Sequence, residues 1–163
     1  MFSVGILTLS DSRSDSNKKD LSGDLLEKRV KEFGGKVKFK KILPDEKDII
    51  VSTLKTLTDK LKLDLVLTTG GTGLTHRDVT PDATMEVIKK EVPGISETIR
   101  NKSLEKTPKA MLSRGVSGVR AKTLIINLPG SPKAVDECLD IIKPIIKHSI
   151  DLIKGNVDDC ARK

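Results

Sequence analysis

Aromatic side chains are nearly absent from this chain. It has no tryptophan, no tyrosine and three phenylalanines among 163 residues. Proteins that bind single-stranded nucleic acid usually stack the bases on aromatic side chains, so we expect no nucleic-acid partner despite a net charge of +7. The lysines are spread along the chain, which is typical of a solvated basic surface. Such a surface also attracts small polyanionic substrates.

Long apolar runs and clusters of metal-binding residues are also missing. No apolar run approaches the roughly 20 residues needed to cross a bilayer, and the first residues lack the basic segment of a signal peptide. Cys138 and Cys160 are isolated thiols, as in proteins of reducing compartments. His76 and His148 have no ligand partners at zinc-site spacing. We therefore expect a cytoplasmic protein with no membrane partner.

Strand and helix patterns alternate along the chain, and the length suits one domain spanning residues 1–163. This alternation predicts an α/β fold, a three-layer α/β/α sandwich with a mostly parallel sheet and an antiparallel edge hairpin. We expect helix 132–154 to be interrupted or kinked at Pro144, and the tail after about residue 155 to be flexible. The predicted strands are 2–9, 37–43, 63–67 and 123–128 with edge strand 116–120, and the other predicted helices are 22–33, 48–60, 83–91 and 95–105.

A glycine-rich segment, Thr-Thr-Gly-Gly-Thr-Gly at 68–73, follows the third predicted strand. Glycines let backbone N–H groups crowd around an anion. Thr80 is a candidate N-cap and Pro81 suits a first helical turn, so a helix N-terminus points at the same region. Asp78 adds a carboxylate that can hold hydrated Mg²⁺ between protein and phosphates. The segment predicts phosphate chemistry.

Two better-known glycine motifs do not match this segment. A Walker A loop needs a lysine that is missing after Gly73, and a dinucleotide fingerprint needs a glycine where the chain has His76. On the glycines alone, a tight strand-to-helix turn with an incidental acid remains an equal alternative.

Other polar loops are expected at the same edge of the sheet, beyond the carboxyl ends of the strands. Asp45 follows the second strand, where it can share one Mg²⁺ with Asp78 or simply stabilise a Pro-Asp turn. The turn 127–133 follows the last strand. Its Ser131 and Lys133 can hold a terminal phosphate at a helix N-terminus, or form an ordinary capped turn.

Five segments together resemble the MogA/MoaB molybdenum-cofactor family, which includes the N-terminal G domain of gephyrin. They occur in the family's order, and the resemblance extends from Val4 to about Lys154. They are Leu-Pro-Asp-Glu at 43–46, the glycine segment at 68–73, Arg-Asp-Val-Thr-Pro-Asp-Ala-Thr at 77–84, Met-Leu-Ser-Arg at 111–114 and Asn-Leu-Pro-Gly at 127–130.

The resemblance implies a homotrimeric molybdopterin adenylyltransferase. Active members transfer AMP from MgATP to the terminal phosphate of molybdopterin and release pyrophosphate. The family pattern makes Asp45 and Asp78 the essential acids, with Mg²⁺ bound nearby, directly or through water. Transient contact with molybdopterin synthase and with the molybdate-inserting protein is also implied. The nucleotide- and molybdopterin-binding residues implied are Ser10, Asp11, Ser22, Gly70, Gly71, Thr72, Gly73, Thr80, Ser113, Arg114, Asn127, Pro129, Gly130, Ser131 and Lys133.

Two other functions fit the same segments. One is a MoaB-type paralogue whose activity differs or has been lost, although the presence of both acids favours activity. The other is a non-catalytic molybdopterin-binding module of the kind that gephyrin suggests. A nucleic-acid binder is a distant third.

Overall fold

The computed structural model describes residues 1–14 and 19–156. Its strands, in chain order, are β1 Phe2–Leu9, β2 Gly35–Leu43, β3 Leu65–Thr69, β4 Lys90–Glu91, β5 Ser117–Arg120 and β6 Thr123–Leu128. They form one sheet with the order β2-β1-β3-β6-β5-β4. Strands β2, β1, β3 and β6 are parallel, and β5 and β4 add an antiparallel edge. This confirms the mostly parallel sheet and its edge hairpin.

Helices cover both faces of the sheet. They are α1 Asp11–Ser14, α2 Leu21–Glu32, α3 Lys47–Lys55, α4 Thr80–Val87, α5 Pro93–Leu104 and α6 Pro132–Lys154. A π-helical turn, Thr56–Lys60, extends α3, and a 3₁₀ turn, Pro108–Leu112, follows α5. Helices α2, α5 and α6 pack on one face, and α3 and α4 pack on the other. The predicted three-layer sandwich is confirmed.

The two cores follow from the alternation of side chains along each strand. In β1, Val4 and Ile6 enter the core under α2 and α6, whereas Leu7 and Leu9 enter the core under α3 and α4. Successive strand residues point to opposite faces, and a parallel sheet covered on both faces needs apolar residues on both. Strands β1, β3 and β6 therefore appear in the sequence as mainly apolar runs, whereas β2, at the edge of the sheet, alternates apolar residues with lysines.

The predicted helix 83–91 is wrong at both ends. Thr80 is not the N-cap: α4 begins at Thr80, and Val79 precedes it. The Thr80 hydroxyl donates to the carbonyl of Gly70 at 2.9 Å instead of capping the helix. At the other end, the amides of Lys89 and Val92 bond to β5 at 2.8 Å, so β4 joins the sheet edge where helix was expected.

One short helix and two further expectations concern loops and ends. Asp11–Ser14 forms a helical turn after β1 that the sequence analysis did not predict. Helix α6 continues through Pro144, so the predicted interruption is wrong and the alternative of a kink stays a prediction. This proline is exposed, where water can satisfy the backbone carbonyl that its ring leaves free. The tail expected to be flexible lies, from residue 157 onward and with Cys160, outside the described residues. Within the described part of the chain, no helix has the length and apolar character to span a membrane.

Candidate functional site

The carboxyl ends of the four parallel strands bring the predicted polar loops together. The amide of Ser10, after β1, donates to the carbonyl of Leu43, at the end of β2, at 3.0 Å. The amide of Gly70, after β3, donates to the carbonyl of Leu128, at the end of β6, at 3.2 Å. These bonds join the loops in pairs along one edge of the sheet.

The glycine loop, residues 70–73, needs its first two glycines for steric reasons. Gly70 has φ of +98° and Gly71 has φ of +64°, values that side-chain-bearing residues rarely adopt. A Cβ at Gly70 would lie 2.4 Å from the carbonyl oxygen of Leu9. Thr80 fixes the loop to α4, because its amide donates to the carbonyl of Gly71 at 3.1 Å.

Asp45 has one carboxylate oxygen in use and one left bare. Its Oδ2 accepts the amide of Asp11 at 3.0 Å, and Oδ1 of Asp11 accepts the amide of Asp45 at 2.9 Å. The Oδ1 of Asp45 is buried and has no hydrogen-bond partner among the described residues. Burial raises the pKa of Asp45, and the negative charges of Asp11 and Asp78 act in the same direction.

Asp78 differs from Asp45, because hydrogen bonds to its carboxylate outweigh the effect of burial on its pKa. Its Oδ2 accepts hydrogen bonds from the amide of Thr75 at 2.9 Å and from the Thr75 hydroxyl at 2.8 Å. Burial raises the pKa of Asp78, but these bonds and one from the Gly73 amide outweigh it and hold the pKa below its usual value. Asp78 is therefore ionised at neutral pH.

The two acids lie against the glycine loop. A Cβ at Gly71 would lie 2.9 Å from Oδ1 of Asp45, and a Cβ at Gly73 would lie 2.9 Å from Oδ2 of Asp78. The absence of side chains at these two positions keeps space open beside both carboxylates. The structure therefore places both acids beside one loop, as the sequence predicted.

Arg114, expected to contact a ligand, is held by protein groups. Its Nε donates to the carbonyl of Gly73 at 3.0 Å, and its Nη2 donates to the carbonyl of Asp78 at 2.6 Å and to Oδ2 of Asp82 at 2.9 Å. Its own amide donates to the carbonyl of Thr72 at 2.9 Å. Arg114 therefore fixes the shape of the glycine loop.

Asn127 is also placed behind the site and not on its surface. Its Nδ2 donates to the hydroxyls of Thr68 and Thr84 at 2.9 Å each, and its Oδ1 accepts the amide of Val116 at 3.2 Å. The side chain is buried and these bonds engage both amide atoms. These bonds tie β6 to β3 and α4, and the expected contact of Asn127 with a ligand stays a prediction.

Protein hydroxyls hold the turn after β6. Ser22 is buried, and its hydroxyl donates to the carbonyl of Gly130 at 2.7 Å, so it supports the turn. Thr69 donates in the same way to the carbonyl of Pro129 at 2.6 Å. Ser131 caps α6, as predicted, by accepting the amide of Ala134 at 3.1 Å.

The remaining predicted residues lie around this edge. Lys133 is exposed in the first turn of α6. The Ser10 and Ser12 hydroxyls are 3.2 Å apart beside Asp11. Ser113 ends the 3₁₀ turn.

A cavity of about 360 Å³ lies between the glycine loop, α5 and α6. Its lining is mostly apolar and includes Thr72, Gly73, Ser103, Ser113, Pro129 and Cys138. Burial raises the pKa of the Cys138 thiol to about 11, so this cysteine stays neutral. The sequence did not identify Ser103 or Cys138, since nothing in helical periodicity shows that α5 and α6 would open towards the loop.

The two acids fit Mg²⁺ in one particular way. Among residues 1–14 and 19–156, no three histidine, cysteine, aspartate or glutamate side chains are grouped to hold a metal. Mg²⁺ is commonly bound by one or two carboxylates, with water and substrate phosphates completing its octahedron. The bare Oδ1 of Asp45, with Asp78 across the loop, suits that mode of binding.

Comparison with known proteins identifies the family of this chain. Residues 5–148 match the family model described as a probable molybdopterin binding domain. The molybdopterin adenylyltransferase of Helicobacter pylori is 43% identical over 155 residues, covering 94% of this chain and 88% of that protein. Gephyrin of Dictyostelium discoideum is 41% identical over 162 residues, covering 93% of this chain and 22% of that longer protein.

The same relationship holds for solved structures. The molybdopterin biosynthesis enzyme MoaB from Thermus thermophilus superposes with a TM-score of 0.90 at 44% identity, covering 95% of this chain and 98% of that one. Because the family model matches most of this chain, the chain belongs to the MogA/MoaB family of molybdopterin-binding proteins of molybdenum cofactor biosynthesis.

Proposed function

We propose that this chain is a molybdopterin adenylyltransferase, the activity named for its relative in Helicobacter pylori. The reaction joins AMP from MgATP to the terminal phosphate of molybdopterin. One observation carries the proposal at the level of chemistry: the bare, buried Oδ1 of Asp45 faces the glycine loop, with ionised Asp78 across it. A purely structural aspartate would have both oxygens satisfied.

The reaction needs no covalent enzyme intermediate. A phosphate monoester is largely dianionic at neutral pH, because its second pKa is about 6. An oxygen of that phosphate attacks the α-phosphorus of ATP, a new P–O bond forms, and the bond to the β-phosphate oxygen breaks to release pyrophosphate. The protein's task is to align two anions that repel each other and to stabilise the developing charge.

We assign the parts of that task to the loops of the site. The glycine loop is assigned to the phosphates, as such loops commonly are. The amides of Gly70 and Gly73 already donate to Leu128 and Asp78, which leaves those of Gly71 and Thr72 for phosphate oxygens. Asp45 and Asp78 are the residues that would hold Mg²⁺ beside the substrate phosphates. When bound, Mg²⁺ supplies positive charge that neutralises the phosphate oxygens and the leaving pyrophosphate.

The cavity beside Thr72 and Pro129 has the apolar walls that a flat heterocycle needs. Ser131 and Lys133, at the start of α6, are assigned to the terminal phosphate of molybdopterin. Ser10, Asp11 and Ser113 complete the proposed binding surface.

Four further parts complete the proposal. A homotrimer and transient contact with molybdopterin synthase and the molybdate-inserting protein rest on the family. A single domain over residues 1–163 and a cytoplasmic location rest on the length and composition of the chain. Light scattering of the purified protein tests the trimer, which requires a mass about three times the 17.8 kDa of one chain.

The test of the reaction is incubation with molybdopterin and MgATP, followed by chromatography for adenylylated molybdopterin and pyrophosphate. Asp78→Asn is expected to fold, to bind molybdopterin and to lose most turnover, by about 100-fold or more. Glu97→Gln, a change of an exposed acid on α5, is the control and should keep full activity. Near-normal turnover by Asp78→Asn would remove Asp78 from the mechanism. Molybdopterin binding by the wild type without any product would instead indicate a non-catalytic module or an inactive paralogue.

A further inference from the structure

We propose that Arg77 is a positioning residue that acts through Asp11 to keep Oδ1 of Asp45 free for the substrate complex. The inference rests on the proposed adenylyl transfer, and it adds a residue for which no role was assigned from the sequence. It depends on an interlocked set of hydrogen bonds among three loops.

Arg77 joins the loops that follow the three neighbouring strands β1, β2 and β3. Its Nε donates to Oδ2 of Asp11 at 2.9 Å and its Nη2 donates to Oδ1 of Asp11 at 3.0 Å. The same Nη2 donates to Oε1 of Glu46 at 2.8 Å. A guanidinium is a rigid fork, so the two-pronged contact fixes the plane of the Asp11 carboxylate.

The position of Asp11 decides which oxygen of Asp45 is left bare. The Asp11 carboxylate accepts the amide of Asp45, while the amide of Asp11 holds Oδ2 of Asp45. This reciprocal pair orients Asp45 so that Oδ1 points to the glycine loop. Without Arg77, the Asp11 carboxylate is free to turn away from the amide of Asp45. The two loops are then joined less firmly, so the amide of Asp11 holds Oδ2 of Asp45 less exactly in place.

The charge of Arg77 is not the main part of this effect. The side chains of Arg77, Asp11 and Glu46 are 41%, 43% and 52% exposed, and exposed ion pairs contribute little to stability. The geometry of the fork matters, since misplacement of a reacting group by about 1 Å can slow a reaction about 100-fold.

The first experiment tests the hydrogen bonds among Arg77, Asp11 and Asp45 without measuring turnover. Amide hydrogen exchange of the full-length protein is followed by NMR in wild type and Arg77→Met. We expect faster exchange of the Asp11 and Asp45 amides in the variant, with core amides unchanged. Unchanged exchange at these two amides would overturn the inference, whatever the activity. Faster exchange in a protein that proves to have no adenylyl transfer would support the positioning role of Arg77 and refute the proposed function.

The second experiment measures the consequence for catalysis. Arg77→Met is expected to lower kcat about 10- to 100-fold, with little change in KM for MgATP. Arg77→Lys, which keeps the charge but lacks the fork, should recover part of kcat. A rise in KM for MgATP at unchanged kcat would mean that Arg77 contacts the nucleotide directly, which overturns the positioning role.

Controls come from elsewhere in the chain. Glu46→Gln keeps the fork between Arg77 and Asp11 and should leave kcat nearly unchanged. Arg120→Met removes a similar fork, in which Arg120 bonds Asp59 at 2.9 and 2.6 Å at the opposite end of the sheet, and should also leave kcat unchanged.

A double substitution tests the route through Asp11. The double variant with Arg77→Met and Asp11→Ala should be no slower than Asp11→Ala alone, because the two residues act in series. Independent losses that multiply would contradict the proposal.

Discussion

At the residue scale, the two acids beside the glycine loop differ in how their oxygens are used. Asp78 is fixed by hydrogen bonds from the loop and stays ionised. Asp45 is buried, its pKa is raised, and one oxygen has no partner among the described residues. An unpaired buried oxygen costs free energy, so its retention beside a glycine loop is best explained by a ligand that binds there.

Gly71→Ala should show whether the reaction needs the space beside Asp45, as distinct from the effect of backbone strain at a positive φ. A Cβ here would lie 2.3 Å from Oγ1 of Thr80 and 2.9 Å from Oδ1 of Asp45, at a φ of +64°. Gly34 is a matched control, because it has φ of +86° and nothing within 4 Å of a Cβ. Each substitution should lower the free energy of unfolding by at least about 1 kcal/mol.

Only Gly71→Ala is expected to abolish adenylyl transfer. The measurements are urea unfolding and the chromatographic assay on both variants. Equal activities of the two variants would show that the space beside Asp45 is not needed for the reaction.

At the element scale, one carboxylate fixes the C-terminal end of α6 to the sheet. Oδ1 of Asp64, just before β3, pairs with Nζ of Lys154, the last residue of α6, at 2.6 Å. Oδ2 of Asp64 accepts the amide of Ser3 in β1 at 2.7 Å and the Ser3 hydroxyl at 2.9 Å. Burial raises the pKa of Asp64, but these partners outweigh it, and the net pKa is lowered.

Asp64→Asn should therefore destabilise the protein in a pH-dependent way. Because the folded pKa lies below the unfolded one, the stabilisation is present above the ordinary value of 3.8 and is lost as the pH falls through the folded pKa. At pH 7 we expect a loss of about 1 to 2 kcal/mol. Thermal unfolding of both proteins between neutral and acid pH measures it, with exposed Glu97→Gln as control. A difference that persists at the most acid pH would contradict the assignment.

At the scale of the whole molecule, the net positive charge favours the encounter with substrates that then react at the site. The net charge is +7, and both proposed substrates are polyanions. A positive field raises the rate at which anions meet the protein, whereas groups inside the site govern the chemical step. Salt should therefore affect encounter and leave the chemistry unchanged.

We expect kcat/KM for MgATP to fall about threefold to tenfold as the ionic strength rises from about 20 to about 200 mM at constant free Mg²⁺. The kcat should change little. Steady-state assays in sodium chloride measure both constants. A kcat/KM that does not depend on salt would show that the basic surface has no part in substrate capture.

The sequence predicted some features of the fold and site well, and the reasons can be traced to particular residues. Apolar runs such as Phe2–Leu9 predicted the central strands because a covered parallel sheet needs apolar residues on both faces. Asp45 and Asp78 were placed together correctly, since they follow β2 and β3, two parallel strands that flank β1 and end at the same edge of the sheet. Lys90–Glu91 was mistaken for helix because its strand pairing depends on β5, which lies far along the chain.

What the sequence by itself determined was the α/β class, the edge of the sheet that carries the loops and the acids that converge there. These follow from local periodicity, from glycine and proline signals and from the rule that parallel strands end at one edge. Only the tertiary structure decided that Arg114 and Asn127 support the loops, that Asp45 keeps one oxygen bare and that Arg77 holds Asp11. Hydrogen-bond partners from distant segments set these roles, and no local pattern in the chain encodes which partner each polar group will meet.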